Sequence, residues 1–154
     1  MGKNVLAKRV AAIRPFRVME IADQVKALEE EGKSVVHFEI GEPGFETASP
    51  IIEKAKSSMN QKSIKYTEAA GIFELREEIS SYYRKSSIEV DPKQVIVTHG
   101  ASGGLLLLLA GLLDAGKTLI SSDPGYPCNS AFVHLLGAQL KSVKLSVKNN
   151  FQPD

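Results

Sequence analysis

The second half of the chain alternates short β-branched runs with helix-length apolar stretches, and this rhythm limits the fold more than any other feature. Gln94-Val95-Ile96-Val97-Thr98 reads as a buried strand, and Ala101 to Leu113 as a largely buried helix. Thr118-Leu119-Ile120-Ser121 reads as a second strand, about Asn129 to Leu136 as a helix stopped by Gly137, and Gln139 to Leu145 as a third strand. Strands separated by helices of this length are joined by crossovers, so the expected fold is α/β, a mainly parallel sheet flanked by helices. The first half carries the same signals. Val18, Ile21, Ala22, Val25 and Leu28 recur at helical spacing before Gly32. The run from Ser34 to Ile40 is strand-like and breaks at Gly41-Glu42-Pro43-Gly44. Ser49-Pro50 predicts an N-cap and an N1 proline, opening a helix through about Met59. Ile72, Leu75, Ile79, Tyr82 and Tyr83 mark a helix that ends before Asp91-Pro92, with the tyrosine pair on its half-buried face.

Composition removes several classes of function. A length of 154 residues suits one domain, or one domain with a piece of a second, and no internal repeat or low-complexity segment is visible. With 19 basic and 18 acidic side chains the formal charge is +1, which argues against a nucleic-acid partner. No apolar run approaches the ~20 residues that span a bilayer, so no membrane segment is expected. The basic stretch at the start lacks both an apolar core and a small-residue cleavage site, and is read as a flexible arm. A single cysteine, Cys128, forms no internal disulfide, in keeping with a reducing, cytoplasmic compartment. The polar tail from Lys148 stops without a closing element, and the chain reads as one that continues past Asp154.

The segment Val97-Thr98-His99-Gly100-Ala101-Ser102-Gly103-Gly104 lies between an expected strand and an expected helix. The first amides of a helix have no intrahelical acceptor, and with the helix dipole and the Ser102 hydroxyl they form an anion site. The glycine spacing fits neither the dinucleotide fingerprint nor a Walker A loop. A phosphate site and a close-packing turn are therefore equal readings of this loop taken alone. Asp123-Pro124-Gly125-Tyr126-Pro127 places an aromatic after a strand, and Tyr66 stands on a loop just before a helix. Ligands of open α/β sheets collect at the carboxyl ends of strands, so Tyr126 and the Gly100 loop are expected at one sheet edge.

Taken in order, Ile40-Gly41-Glu42-Pro43, Tyr66-Thr67 with Gly71 and Leu75-Arg76, Thr98-x-Gly100-Ala101-Ser102, and Asp123-Pro124-x-Tyr126-Pro127 resemble the class I/II aminotransferases. These are pyridoxal-phosphate enzymes of fold type I, similar to aspartate aminotransferase, and the resemblance runs from about Phe16 to the end. It implies an amino-terminal arm over residues 1–15, a segment of the small domain over 16–44, and the amino-terminal part of the cofactor-binding large domain over 45–154. It implies that Gly100, Ala101 and Ser102 hold the cofactor phosphate and that Tyr126 stacks on the pyridine ring. It implies further that Tyr66 reaches the phosphate of a neighbouring subunit in a homodimer, and that Gly41 lies beside the substrate carboxylate. The implied reaction moves an amino group between an amino acid and a 2-oxo acid.

The family's Schiff-base lysine, its aspartate on the pyridinium nitrogen and its carboxylate-binding arginine match no segment of this chain. Lys54, Lys56, Lys62 and Lys65 sit among polar residues and read as surface charges. No catalytic residue is therefore assigned, and this chain alone is expected to be inactive. Two alternatives stay open: another fold type I enzyme, such as a lyase or decarboxylase, or a non-catalytic protein that binds a phosphorylated ligand or a partner. His37, His99 and His134 show no metal-ligand spacing, so no metal is expected. His99 is read as structural, Cys128 as a buried small hydrophobe, and Glu39 and Glu42 as strand-end and loop residues.

Overall fold

The computed structural model describes residues 5–61 and 65–153, which leaves Lys62 and residues 1–4 of the expected arm outside the description. The helices are α1 (Arg17–Glu30), α2 (Ser49–Gln61), α3 (Phe73–Arg84), α4 (Gly100–Leu112) and α5 (Pro127–Leu135). The strands are β1 (Thr118–Asp123) and β2 (Gln139–Lys144), and short 3-10 turns occupy Lys8–Ala12, Pro92–Gln94 and Val147–Asn149. The chain divides into two compact units, one formed by Met1–Glu39 with His99–Asp154 and the other by Ile40–Thr98.

The first unit is organised by the crossover β1–α5–β2. The strands run parallel, in register from Thr118 opposite Gln139 to Asp123 opposite Lys144. A parallel pair needs a connection long enough to return over the sheet, and α5 supplies it. Pro127 opens α5 at a position where its missing N–H costs nothing, after the cis peptide Asp123–Pro124. Val133 of α5 is fully buried, and with Leu109 of α4 and Ala138 it forms the core among the described residues. The arm is more ordered than expected. Lys8–Ala12 forms a 3-10 turn that packs against α5, with its own residues left exposed.

The second unit holds α2 and α3. Helix α2 starts one residue earlier than the Ser49 cap predicts, since the Ala48 carbonyl already accepts from the Ile51 and Ile52 amides. Helix α3 packs against the turn Pro92–Gln94. The Asp91 carboxylate accepts from the Lys93 amide at 2.8 Å, and the Gln94 side chain accepts from the Asp91 amide at 3.1 Å. This reciprocal pairing is a capping box, which explains why the chain turns there instead of extending. Ser80, buried on α3, donates to the Arg76 carbonyl at 2.9 Å.

Two expected strands do not form. Residues 34–40 are extended without ladder partners, and Val36 and Phe38 are 75% and 91% exposed. The run 94–98 begins inside the 3-10 turn and continues extended, with Ile96 exposed and the Val97 amide donating to the Ala70 carbonyl at 2.9 Å. Both runs have strand composition, but a strand also needs a neighbour, and none pairs with them among the described residues. For the same reason α4 is less buried than expected. Leu109 is enclosed, whereas Leu107, Leu108 and Leu112 are exposed. Tyr82 and Tyr83 are both exposed instead of half-buried, their rings edge-on with centroids 6.1 Å apart. Cys128 is half-buried at the start of α5, not enclosed.

Candidate cofactor site

The expected phosphate loop leads into α4. Gly100 is its first residue, at φ +73°, a conformation that disfavours a side chain. A Cβ built there would meet nothing within 4 Å, so the backbone is open to an approaching group. Ala101 and Ser102 are exposed in the first helical turn, and the 13-residue helix behind them directs its positive end outward. Helix-start amides beside a hydroxyl are chemistry that can accept an anion. His99 precedes the helix, exposed, and its side chain makes no capping bond.

Tyr126 stands at the carboxyl end of β1, about half exposed, with the Phe16 ring edge-on at 6.4 Å between centroids and 78° between planes. Beside it opens a cavity of about 550 Å³, within the range of small-molecule sites. Its wall includes Tyr126, Asp123, Ser130, His134 and, from the arm, Arg14. The Arg14 guanidinium and the Asp123 carboxylate form no ion pair among the described residues, although both line this cavity. The sequence reading missed Arg14, since an arginine in a basic arm carries no local signal; Pro15 after it is the one hint that the arm is shaped there.

The expected common sheet edge is not seen. Residues 95–98, which precede Gly100, form no strand, and the wall of the Tyr126 cavity does not include Gly100, Ala101 or Ser102. Tyr66 and Gly41 lie in the second unit, Tyr66 fully exposed and Gly41 exposed. Lys54, Lys56 and Lys65 are exposed surface charges, as expected. No group of three or more histidine, cysteine or acidic residues able to hold a metal occurs among the described residues. No described helix is long and apolar enough to cross a membrane.

Glu39 has a definite role that the sequence reading did not find. Its carboxylate meets Nδ1 of His37 at 2.7 Å, while Nε2 of the same ring meets Glu29 of α1 at 3.0 Å. The hydrogen bond to Glu29, then that to Glu39, raises the His37 pKa above its ordinary value, and the His37 contact lowers that of Glu39.

The described chain thus combines an α/β crossover unit, a small-residue helix start and an aromatic after a strand. The sequence profile of the aminotransferase class I and II family matches residues 33–154, and the chain belongs to that family. It is 40% identical over 136 residues to the (5-formylfuran-3-yl)methyl phosphate transaminase of Methanocaldococcus jannaschii, covering 88% of this chain and 37% of that protein. It is 33% identical over 153 residues to the aspartate aminotransferase of Thermotoga maritima, covering 97% of this chain and 40% of that protein. The crystal structure of the Thermotoga maritima enzyme superimposes with a TM-score of 0.89 over 97% of this chain and 40% of that one, at 32% identity. An aminotransferase from Mycobacterium tuberculosis gives a TM-score of 0.90 at 31% identity over 96% of this chain and 38% of that one. The chain thus spans about two fifths of the length of these relatives, their amino-terminal part. Its α/β fold is that of fold type I enzymes, and the family depends on pyridoxal phosphate.

Proposed function

We propose that this chain is the amino-terminal, cofactor-phosphate-binding part of a pyridoxal-phosphate aminotransferase. Its substrates would be an amino acid as amino donor and a 2-oxo acid as acceptor, and the active form a cytoplasmic homodimer. The single observation that supports this reading is the start of α4, where Gly100, Ala101 and Ser102 are exposed in the first helical turn and Gly100 leaves its approach open, in a chain of this family. In this reading residues 1–15 are the arm, 16–44 a segment of the small domain and 45–154 the start of the large domain.

Bound pyridoxal phosphate supplies an electron sink for the bond broken at the substrate's α-carbon. The chain's own residues bind and orient it. The amides of the first α4 turn and the Ser102 hydroxyl hold the phosphate dianion, a charge-assisted contact that fixes one end of the molecule. Tyr126, steadied by the edge of Phe16, offers its face to a flat heteroaromatic ring. Tyr66 donates its hydroxyl to the phosphate held by a neighbouring subunit, and Gly41 leaves room for the substrate carboxylate. No lysine of this chain is assigned the covalent link to the cofactor, which is supported by the exposure of Lys54, Lys56 and Lys65 on the surface. The chain by itself is accordingly expected to bind without catalysing.

The test is competition. Pyridoxal phosphate should bind the chain reversibly and be displaced by inorganic phosphate. Ser102→Ala should weaken it by about 1.5–3 kcal/mol, the worth of a hydrogen bond to a charged group, measured by equilibrium titration. Equal affinity in the Ser102→Ala variant would mean that the loop is only a turn.

A further inference from the structure

Arg76 is the most heavily engaged side chain of the second unit, and the chemistry proposed above leaves it without a role. Its side chain is 11% exposed. Nε donates to the Gly71 carbonyl at 3.0 Å, one terminal nitrogen to the Pro92 carbonyl at 3.4 Å, and the other to the Glu68 carboxylate at 2.6 Å. The Phe73 ring lies 5.2 Å from the guanidinium carbon. Two of these contacts, Gly71 and Glu68, belong to the turn that follows Tyr66 and Thr67.

That turn has little freedom at its far end. The Gly71 amide donates to the Glu68 carbonyl at 2.9 Å, and the Val97 amide to the Ala70 carbonyl at 2.9 Å. Gly71 sits at φ +96°, and a Cβ there would come within 2.7 Å of the Val97 side chain, so no other residue fits without movement. At its near end Tyr66 is fully exposed and makes no hydrogen bond among the described residues. Tyr66 stands two residues before the frame from Glu68 to Gly71, which Arg76 ties to Pro92. Only a planar fork with several donors reaches three acceptors lying in different directions; a lysine keeps the charge near Glu68 but not the span.

We propose that Arg76 is a positioning residue for Tyr66, holding the turn from which the tyrosine hydroxyl meets a cofactor phosphate. This inference rests on the role of Tyr66 given above. It is tested with Arg76→Lys, which keeps the charge, and Glu68→Gln, which removes the charge from the exposed contact and leaves the other bonds in place. Amide hydrogen exchange of the chain is read at Gly71 and Val97, with Ser80 on α3 as the folding control. Arg76→Lys should speed exchange at Gly71 and Val97 by roughly 10–100-fold, as loss of charge-assisted bonds implies, while Ser80 stays protected. Glu68→Gln should give a smaller change at the same amides. Unchanged exchange at Gly71 in Arg76→Lys would overturn the proposal, as would equal acceleration throughout α3.

A double-mutant cycle on pyridoxal phosphate affinity then separates positioning from general structure. Tyr66→Phe and Arg76→Lys should each weaken binding, and the double variant should bind no more weakly than Tyr66→Phe alone. Additive losses would overturn the proposal. Affinity indifferent to Tyr66→Phe would instead overturn the site reading, while the exchange result still decides whether Arg76 holds the turn.

Discussion

His37 shows how much one side chain can depend on protonation. A carboxylate only accepts hydrogen bonds, and a neutral imidazole has one donor nitrogen and one acceptor. With Glu29 at one nitrogen and Glu39 at the other, both contacts are satisfied by the imidazolium alone. Its pKa is accordingly raised, by the Glu29 hydrogen bond first and then by that to Glu39. Below the ordinary histidine range the ring is charged in folded and unfolded chain alike, and the clamp's contribution is fully present. As pH rises through the raised folded value that contribution is lost. Glu39, held low by His37, contributes above the ordinary glutamate range and loses its share as pH falls through its depressed value. The melting temperature should therefore fall as pH rises through and above the ordinary histidine range, and His37→Asn should remove most of that slope. The same slope in His37→Asn would show that the ring does not couple α1 to the segment ending at Glu39. None of this was legible in the sequence. Glu29 stands eight residues before His37, and only the turn at Gly32 brings them together.

Among the elements, α5 does most to hold the first unit together, and its sequence announces it: Pro127 at the start, Gly137 after the end, apolar residues between. Val133 is fully buried where α5 meets β2 and α4. Val133→Ala removes about two methylenes from a packed site and leaves a cavity, so it should lower unfolding free energy by about 2–3 kcal/mol in a denaturant titration. A loss below about 0.5 kcal/mol, the size of a surface substitution, would mean that this crossover is not the centre of the unit. The helices were legible because the signals that make a helix lie within one stretch: periodicity, a first-turn proline, a stopping glycine. The strands were legible only in part. Thr118–Asp123 and Gln139–Lys144 pair with each other, and both were readable. The runs 34–40 and 94–98 have the same composition yet form no ladder, because pairing is a property of two segments and composition describes one. The burial of α4 was overread for a related reason, since an all-apolar helix is enclosed only where neighbours surround it.

At the scale of the molecule, the chain carries an exposed, small-residue start of α4 and, separately, an aromatic-edged cavity at the end of β1, in a family that uses pyridoxal phosphate. The helix start at Gly100 was legible because small residues precede an apolar, helix-length run. The cavity wall was not, because Arg14 reaches it from a part of the chain more than a hundred residues before Tyr126. The central claim is that this chain holds the phosphate end of the cofactor without holding it covalently. It is tested most directly by mixing the chain with pyridoxal phosphate, reducing with borohydride, and mapping the pyridoxyl groups by peptide mass. The account predicts phosphate-competed binding before reduction, and after it only scattered labelling on surface lysines such as Lys54, Lys56 and Lys65, below one group per chain. A single lysine labelled to one group per chain, with labelling blocked by phosphate, would contradict it.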